Sequence, residues 1–220
     1  MRSRDAESVL LALWVAGTLA FASFLTWSNS GRVNLPMAPA LDLLVARRLA
    51  SRPVRARNSA AAAALASLAL AVGVAQSDAQ LAKSAREAAG RIADRFGSGE
   101  GRLWFLGHWG FQYYLEERGG RAGDVKRSEL LPGDVVAIPS NNANVFGLPA
   151  DRLERLQTIE IQGPRGLASM SPVVGAGFYS SAWGPLPFAF GAVPAERYAI
   201  YTVREPIRLS LRPELPFGIR

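Results

Sequence analysis

His108 is the only histidine in the chain, and there is no cysteine. Thiolate metal sites, disulfides and a cysteine nucleophile are therefore excluded, and so are sites needing several histidines. His108 stands in Gly107-His108-Trp109-Gly110, directly after a strand-like run. Side chains at the C-terminal ends of strands in an open α/β sheet face the usual ligand crevice. Asn141, Asn142 and Asn144 follow a second strand-like run in the same way. Together these four residues are candidates to hydrogen-bond sugar hydroxyls. The competing readings are a structural histidine in an aromatic corner and ordinary asparagine turn chemistry. The carboxylates are scattered. Glu116 and Glu117 fall on the solvated side of a predicted helix, and no pair has the placement of a glycosidase acid and base. No Gly-Lys-Ser/Thr follows a glycine cluster, so there is no P-loop. No cofactor and no metal are implied.

The elements that must carry these residues divide into an apolar N-terminal part and a mixed remainder. The run 9–26 holds no charge and is about 27 Å long as a helix, close to a bilayer's hydrocarbon thickness. Trp27 follows it, where an interfacial anchor belongs. Ala20-Phe21-Ala22 would also suit a signal-peptide cleavage site, but Asp5 and Glu7 do not suit a signal n-region. Two or three spans are expected, at about 9–27, 35–48 and 59–76, of which 35–48 would also suit a half-span or re-entrant piece. The second is short, starts with Pro36 and Pro39, and contains Asp42, an ionisable residue in an apolar segment.

The net charge of +7 is concentrated in one place. Arg47, Arg48, Arg52, Arg55 and Arg57 have no acidic residue among them, whereas residues 77–220 hold 17 basic and 15 acidic side chains. Basic residues bunched between apolar segments mark a cytoplasmic loop, here 47–58, and not a nucleic-acid surface. With that loop inside, residues 77–220 form an extracytoplasmic α/β domain, and the localisation expected is the bacterial plasma membrane.

Within 77–220, residues 78–96 have helical periodicity, with Asp78 as the expected N-cap. A strand at 102–107, a helix at 109–118 and a strand at 135–138 predict two neighbouring parallel strands with a crossover helix. Further strands are expected at 156–161 and 198–203. Residues 163–195 are rich in glycine, proline and aromatics and read as a long structured loop. Its Phe178, Tyr179, Trp183, Phe188 and Phe190 are suited to the loop's own core, to stacking on a sugar, or to the membrane surface. The fold class is thus a membrane α-helical region of two or three transmembrane helices plus a soluble α/β domain with a small, partly parallel sheet.

Two stretches resemble bacterial integral-membrane glycosyltransferases of the GT-C type, akin to the dolichyl-phosphate-mannose-dependent protein mannosyltransferases. The stretch from Trp27 to Ala40 (WSNSGRVNLPMAPA) resembles the Asn-x-Arg-Tyr-x-Leu-Pro-x-x-Pro-Ala signature that opens a late membrane helix in that family. Val33 stands at the tyrosine position, and two residues separate Asn29 from Arg32 where the signature has one. The stretches 104–115 (WFLGHWGFQYYL) and 175–191 (GAGFYSSAWGPLPFAFG) are similar to the soluble tail of members of that group.

The resemblance implies a C-terminal portion of a polyprenyl-phosphate-sugar-dependent glycosyltransferase. Nothing corresponds to the first extracytoplasmic loop, which carries the family's catalytic acids, so the chain is expected to be inactive alone. The resemblance also makes Arg32 a contact for a lipid phosphate through a charge-assisted hydrogen bond. The partners expected are the lipid bilayer, a lipid-linked sugar, or a subunit carrying the catalytic loop, with no nucleic acid. The alternative is a standalone membrane-anchored module that binds a glycan or protein near His108 and Asn141, Asn142 and Asn144.

Overall fold

The computed structural model describes residues 6–26 and 30–209. Trp27 and Asn29, and the terminal charges Arg2, Arg4 and Asp5, lie outside the described residues. Helices α1 (Ala6–Phe24) and α2 (Gly31–Asn34) lead through a 3-10 turn (Leu35–Met37) into α3 (Ala38–Ala50) and α4 (Val54–Phe96). Then come β1 (Leu103–Phe105), α5 (Trp109–Glu116), β2 (Arg121–Ala122), β3 (Glu129–Leu130), β4 (Val135–Pro139) and β5 (Leu153–Ile161). Four short strands follow: β6 (Gly166–Ala168), β7 (Met170–Ser171), β8 (Ala176–Gly177) and β9 (Ala189–Gly191). The described chain ends with β10 (Glu196–Val203) and β11 (Ile207–Arg208). The residues form two compact units, Met1–Asp78 with Pro164–Val193, and Ala79–Gly163 with Pro194–Arg220. Helix α4 contributes residues to both.

Among the described residues, two helices are long and apolar enough to cross a membrane, α1 and α4. The expected crossing at 35–48 is not one of them. Pro36 falls in the 3-10 turn, Pro39 sits in the first turn of α3, and α3 has only 13 residues, about 20 Å. Helix α3 runs back along α1 and returns to its start. There Arg47 forms an ion pair with Glu7, and its Nη1 donates to Ser8 Oγ at 3.2 Å. The apolar window of α4 buries none of its residues. Leu65, Leu68 and Val72 are exposed, at 67, 59 and 48 %. Each forgoes about 1.5–3 kcal/mol of burial if it faces water, so this helix needs apolar cover.

The predicted break at Asp78 does not occur. No glycine or proline interrupts residues 74–89, and α4 runs on for 43 residues, about 64 Å. Asp78 is therefore a mid-helix residue and its side chain is free to bond elsewhere.

In the second unit the sheet order is β2-β1-β4-β10-β5. Strand β1 is parallel to both β2 and β4, pairing Leu103 with Val135 and Phe105 with Ala137, and α5 is the crossover helix. Strand β10 is antiparallel to β4 and β5. The expected parallel pair is thus present within a mixed sheet. Alternation along the strands makes two cores. Leu103, Phe105, Ala137, Ile159, Tyr198 and Ile200 pack with Ala88, Ala89 and Ile92 of α4 and with Phe111 and Leu115 of α5. On the other face Trp104, Leu106, Val136, Ile138, Tyr201 and Val203 pack with Leu130, Leu148, Ile207 and Leu209.

Candidate functional site

In the first unit the residues 164–193 fold into two antiparallel pairs, β6 with β9 and β7 with β8. They are seated on α4 where its apolar run ends. Ser77 Oγ donates to the Leu167 carbonyl at 2.7 Å, and a side chain on Gly73 would touch Leu167. Asp78 takes two further bonds, from Ser169 Oγ at 2.8 Å and from the Tyr179 hydroxyl at 2.6 Å. Burial, then the hydrogen bond to the Asp78 carboxylate and its charge, push the Tyr179 phenol up to about 12, with Arg32 opposing.

The segment also grips α2. The Arg32 N–H donates to the Phe178 carbonyl at 3.2 Å. Gly31 leaves no room for a side chain, because a Cβ there would lie 2.9 Å from the Phe178 ring. The Arg32 side chain is exposed, and among the described residues no carboxylate is within ion-pairing distance of it. Beside Arg32, Val33 and Pro36 form one wall of an open groove of about 510 Å³ whose other wall is Leu13, Trp14, Gly17 and Phe21 of α1. Arg32 itself is not among the residues that line the groove.

In the second unit the sheet brings together His108, Asn142 and Asn144 at the ends of β1 and β4. Asn142 clamps the histidine backbone from both sides. Its Oδ1 accepts from the His108 N–H at 2.7 Å, and its Nδ2 donates to the His108 carbonyl at 3.3 Å. Gly107, at φ +103°, leaves no space for a side chain between Pro139 and Asn142. Its N–H donates to the Asn144 carbonyl at 3.2 Å. Both Asn144 and Trp109 have positive φ, 57° and 60°. Asparagine adopts that conformation readily, but for tryptophan it is costly and must be held by its surroundings.

The His108 imidazole is exposed. Gln112 Nε2 donates to Glu116 at 2.9 Å, so its Oε1 accepts from His108 Nδ1 at 2.8 Å. That leaves Nε2 of the neutral ring as an acceptor facing solvent. Asn141 donates to Glu196 Oε1 at 2.9 Å. Burial raises the Glu196 carboxyl above its usual range, and the Asn141 bond opposes it.

A third polar cluster in this unit is structural. Asp134 accepts from Arg102 Nη2 at 2.7 Å, from Trp104 Nε1 at 2.8 Å and from the N–H groups of Arg102 and Leu131, both at 2.9 Å. Burial alone would raise this carboxyl, but the bonds from Arg102, Leu131 and Trp104 outweigh it and hold it below its ordinary value.

Of the five sequence candidates, the fold joins His108, Asn141, Asn142 and Asn144 in the second unit, while Arg32 belongs to the first. Tyr179, Ser169, Asp78 and Gln112 carry bonds that the sequence reading did not assign to them. The residues of an Asp-Tyr pair 101 positions apart give no local signal. The Gln112–Glu116 spacing of four on a predicted helix did offer one. Among the described residues no group of three or more acidic or histidine side chains is arranged to hold a metal ion. No protein-family model, no curated protein and no solved structure matches the chain.

Proposed function

We propose that the chain is a membrane and extracytoplasmic portion of a glycosyltransferase that uses a polyprenyl-phosphate sugar. In this reading it holds the lipid-linked phosphate and does not itself transfer the sugar. The observation that carries the reading is the exposed Arg32, which has no carboxylate in ion-pairing distance among the described residues and is next in sequence to Val33, which lines the apolar groove with Leu13, Trp14 and Phe21. A polyprenyl phosphate has both matching parts: a dianionic head for a guanidinium fork, and an isoprenoid chain for an apolar groove. The resemblance of residues 27–40 to the signature of lipid-phosphate-dependent transferases supports the same assignment.

The asparagines of the second unit favour this site over a glycan crevice near His108. Asn142 spends its amide on the His108 backbone and Asn144 is a turn residue, so they hold the loop.

The test is binding of a short polyprenyl phosphate to the full chain in nanodiscs, read by titration. Arg32→Ala should weaken binding by about ten-fold or more, the scale of a hydrogen bond to a charged group. Arg32→Lys should fall between, because lysine keeps the charge and loses the fork. Gly17→Leu projects into open space and should obstruct the groove without disturbing the helix. Binding indifferent to both Arg32→Ala and Gly17→Leu would sink the assignment, and sugar transfer by the purified chain would refute its non-catalytic half.

A further inference from the structure

Residues 164–193 expose Val173 in the turn between β7 and β8, Leu186 beside β8, and Phe190 on β9, at 66, 49 and 70 %. Single exposed apolar side chains are normal on a soluble surface. These three differ in where their segment is attached. Its contacts in the first unit are with Gly73, Ser77 and Asp78, at the end of the apolar run of α4, and with Gly31 and Arg32, just after α1. Both seats lie where an apolar helix turns polar. The segment is therefore held at the level where a bilayer's hydrocarbon would end.

Its composition fits that level. Phe188 and Phe190 stack edge to face at 6.0 Å, as do Phe178 and Tyr179 at 5.1 Å, and the Tyr179 hydroxyl is bonded to Asp78. Aromatic rings with a polar tip belong in the headgroup layer. Part of the segment's backbone is paired, in β6–β9 and β7–β8 and in bonds such as Gly177 N–H to Leu186 carbonyl at 2.7 Å. Paired backbone is what a segment needs to enter a poorly hydrated layer.

We infer that residues 164–193 form an interfacial collar whose Val173, Leu186 and Phe190 insert into the headgroup and acyl boundary of the bilayer. This rests on the membrane reading of α1 and α4 and adds a lipid contact that no helix supplies. The collar fixes the depth of α4, and with it the depth of Arg32.

The absence of native cysteine makes the test direct. Val173→Cys, Leu186→Cys and Phe190→Cys are each spin-labelled in the full chain. The chain is reconstituted in vesicles of phosphatidylethanolamine and phosphatidylglycerol. Collision with oxygen, which favours lipid, is compared with collision with a water-soluble nickel chelate. Leu65→Cys on the apolar face of α4 and the exposed Lys126→Cys are the lipid and water references. The expected result is an oxygen-to-nickel ratio at the collar several-fold above that at Lys126 and approaching that at Leu65. If the three collar sites match Lys126 while Leu65 reads lipid, the collar is overturned and the membrane reading stands. Protection of the collar from both reagents would overturn it in favour of a protein partner. An aqueous Leu65 would remove both readings together.

Discussion

The Asp78–Tyr179 bond joins a helix to a segment a hundred residues later, and it has a measurable signature. Burial and the neighbouring carboxylate push the Tyr179 phenol from its ordinary value near 10 up to about 12. Between those values an unfolded chain has released the phenolic proton and the folded chain keeps it. The contribution of Tyr179 to stability is thus complete below pH about 10 and is lost as pH rises toward about 12. In an ultraviolet titration of tyrosinate, Tyr179→Phe should remove a step near pH 12, and Asp78→Asn should move that step down. A native chain whose step stays put in Asp78→Asn would show that the carboxylate does not hold the proton. Asp78 is the residue most changed in meaning by the fold. Its sequence context predicts a helix cap, and its place in the middle of α4 makes it an acceptor for Ser169 and Tyr179.

At the scale of elements, Gly101 is where the exit from α4 passes the turn into β4. A Cβ there would sit 2.0 Å from the Gly133 carbonyl oxygen, and the neighbouring Asp134 accepts bonds from Arg102 and Trp104. Gly101→Ala must push the two backbones apart at that hub. Overpacking of this kind costs about 1–3 kcal/mol, and hydrogen exchange of β1 and β4 amides in the full chain should speed up accordingly. Gly99→Ala, whose Cβ would meet only the Phe96 carbonyl at 3.7 Å, is the control and should leave exchange unchanged.

These elements also mark how far the sequence could be read. The parallel pairing of β1 with β4 across α5 was legible because each run is short, β-branched or aromatic, and bounded by glycine or proline. The same local signals reveal β5 and β10. They do not reveal that α4 is continuous, because Asp78 looks like a cap until its long-range partners are known. Nor do they reveal that 164–193 makes strands of two or three residues, since pairing of that length depends on the helix beneath and not on propensity. His108 and Asn142 follow the ends of two strands and are hydrogen-bonded to each other. The clamp between them depends on a backbone geometry, at Gly107 and Trp109, that residue types do not encode.

For the molecule as a whole, the first unit has two ends. One carries Glu7, Ser8 and Arg47, with Arg48 on α3, Arg52 in the turn after it, and Arg55 and Arg57 at the start of α4. The other carries Arg32, Asp78 and Tyr179. Five arginines in 11 residues without an acid should keep the first end in the cytoplasm, since translocating them is unfavourable. If α4 is entered from that side, as the proposed topology has it, the chain leaves the bilayer near Ser77 and continues outside. In intact bacterial cells Lys126→Cys should therefore react with a membrane-impermeant thiol reagent, and Arg52→Cys should react only after the membrane is opened. Arginine is also the lever. Replacing Arg48, Arg52, Arg55 and Arg57 with glutamine should produce a mixed population in which some Lys126→Cys is protected. The reverse labelling in the native chain would put Arg32 on the cytoplasmic face, and an extracytoplasmic donor phosphate could not reach it. The collar would survive that result, because it depends on how deep residues 164–193 sit and not on which leaflet they meet.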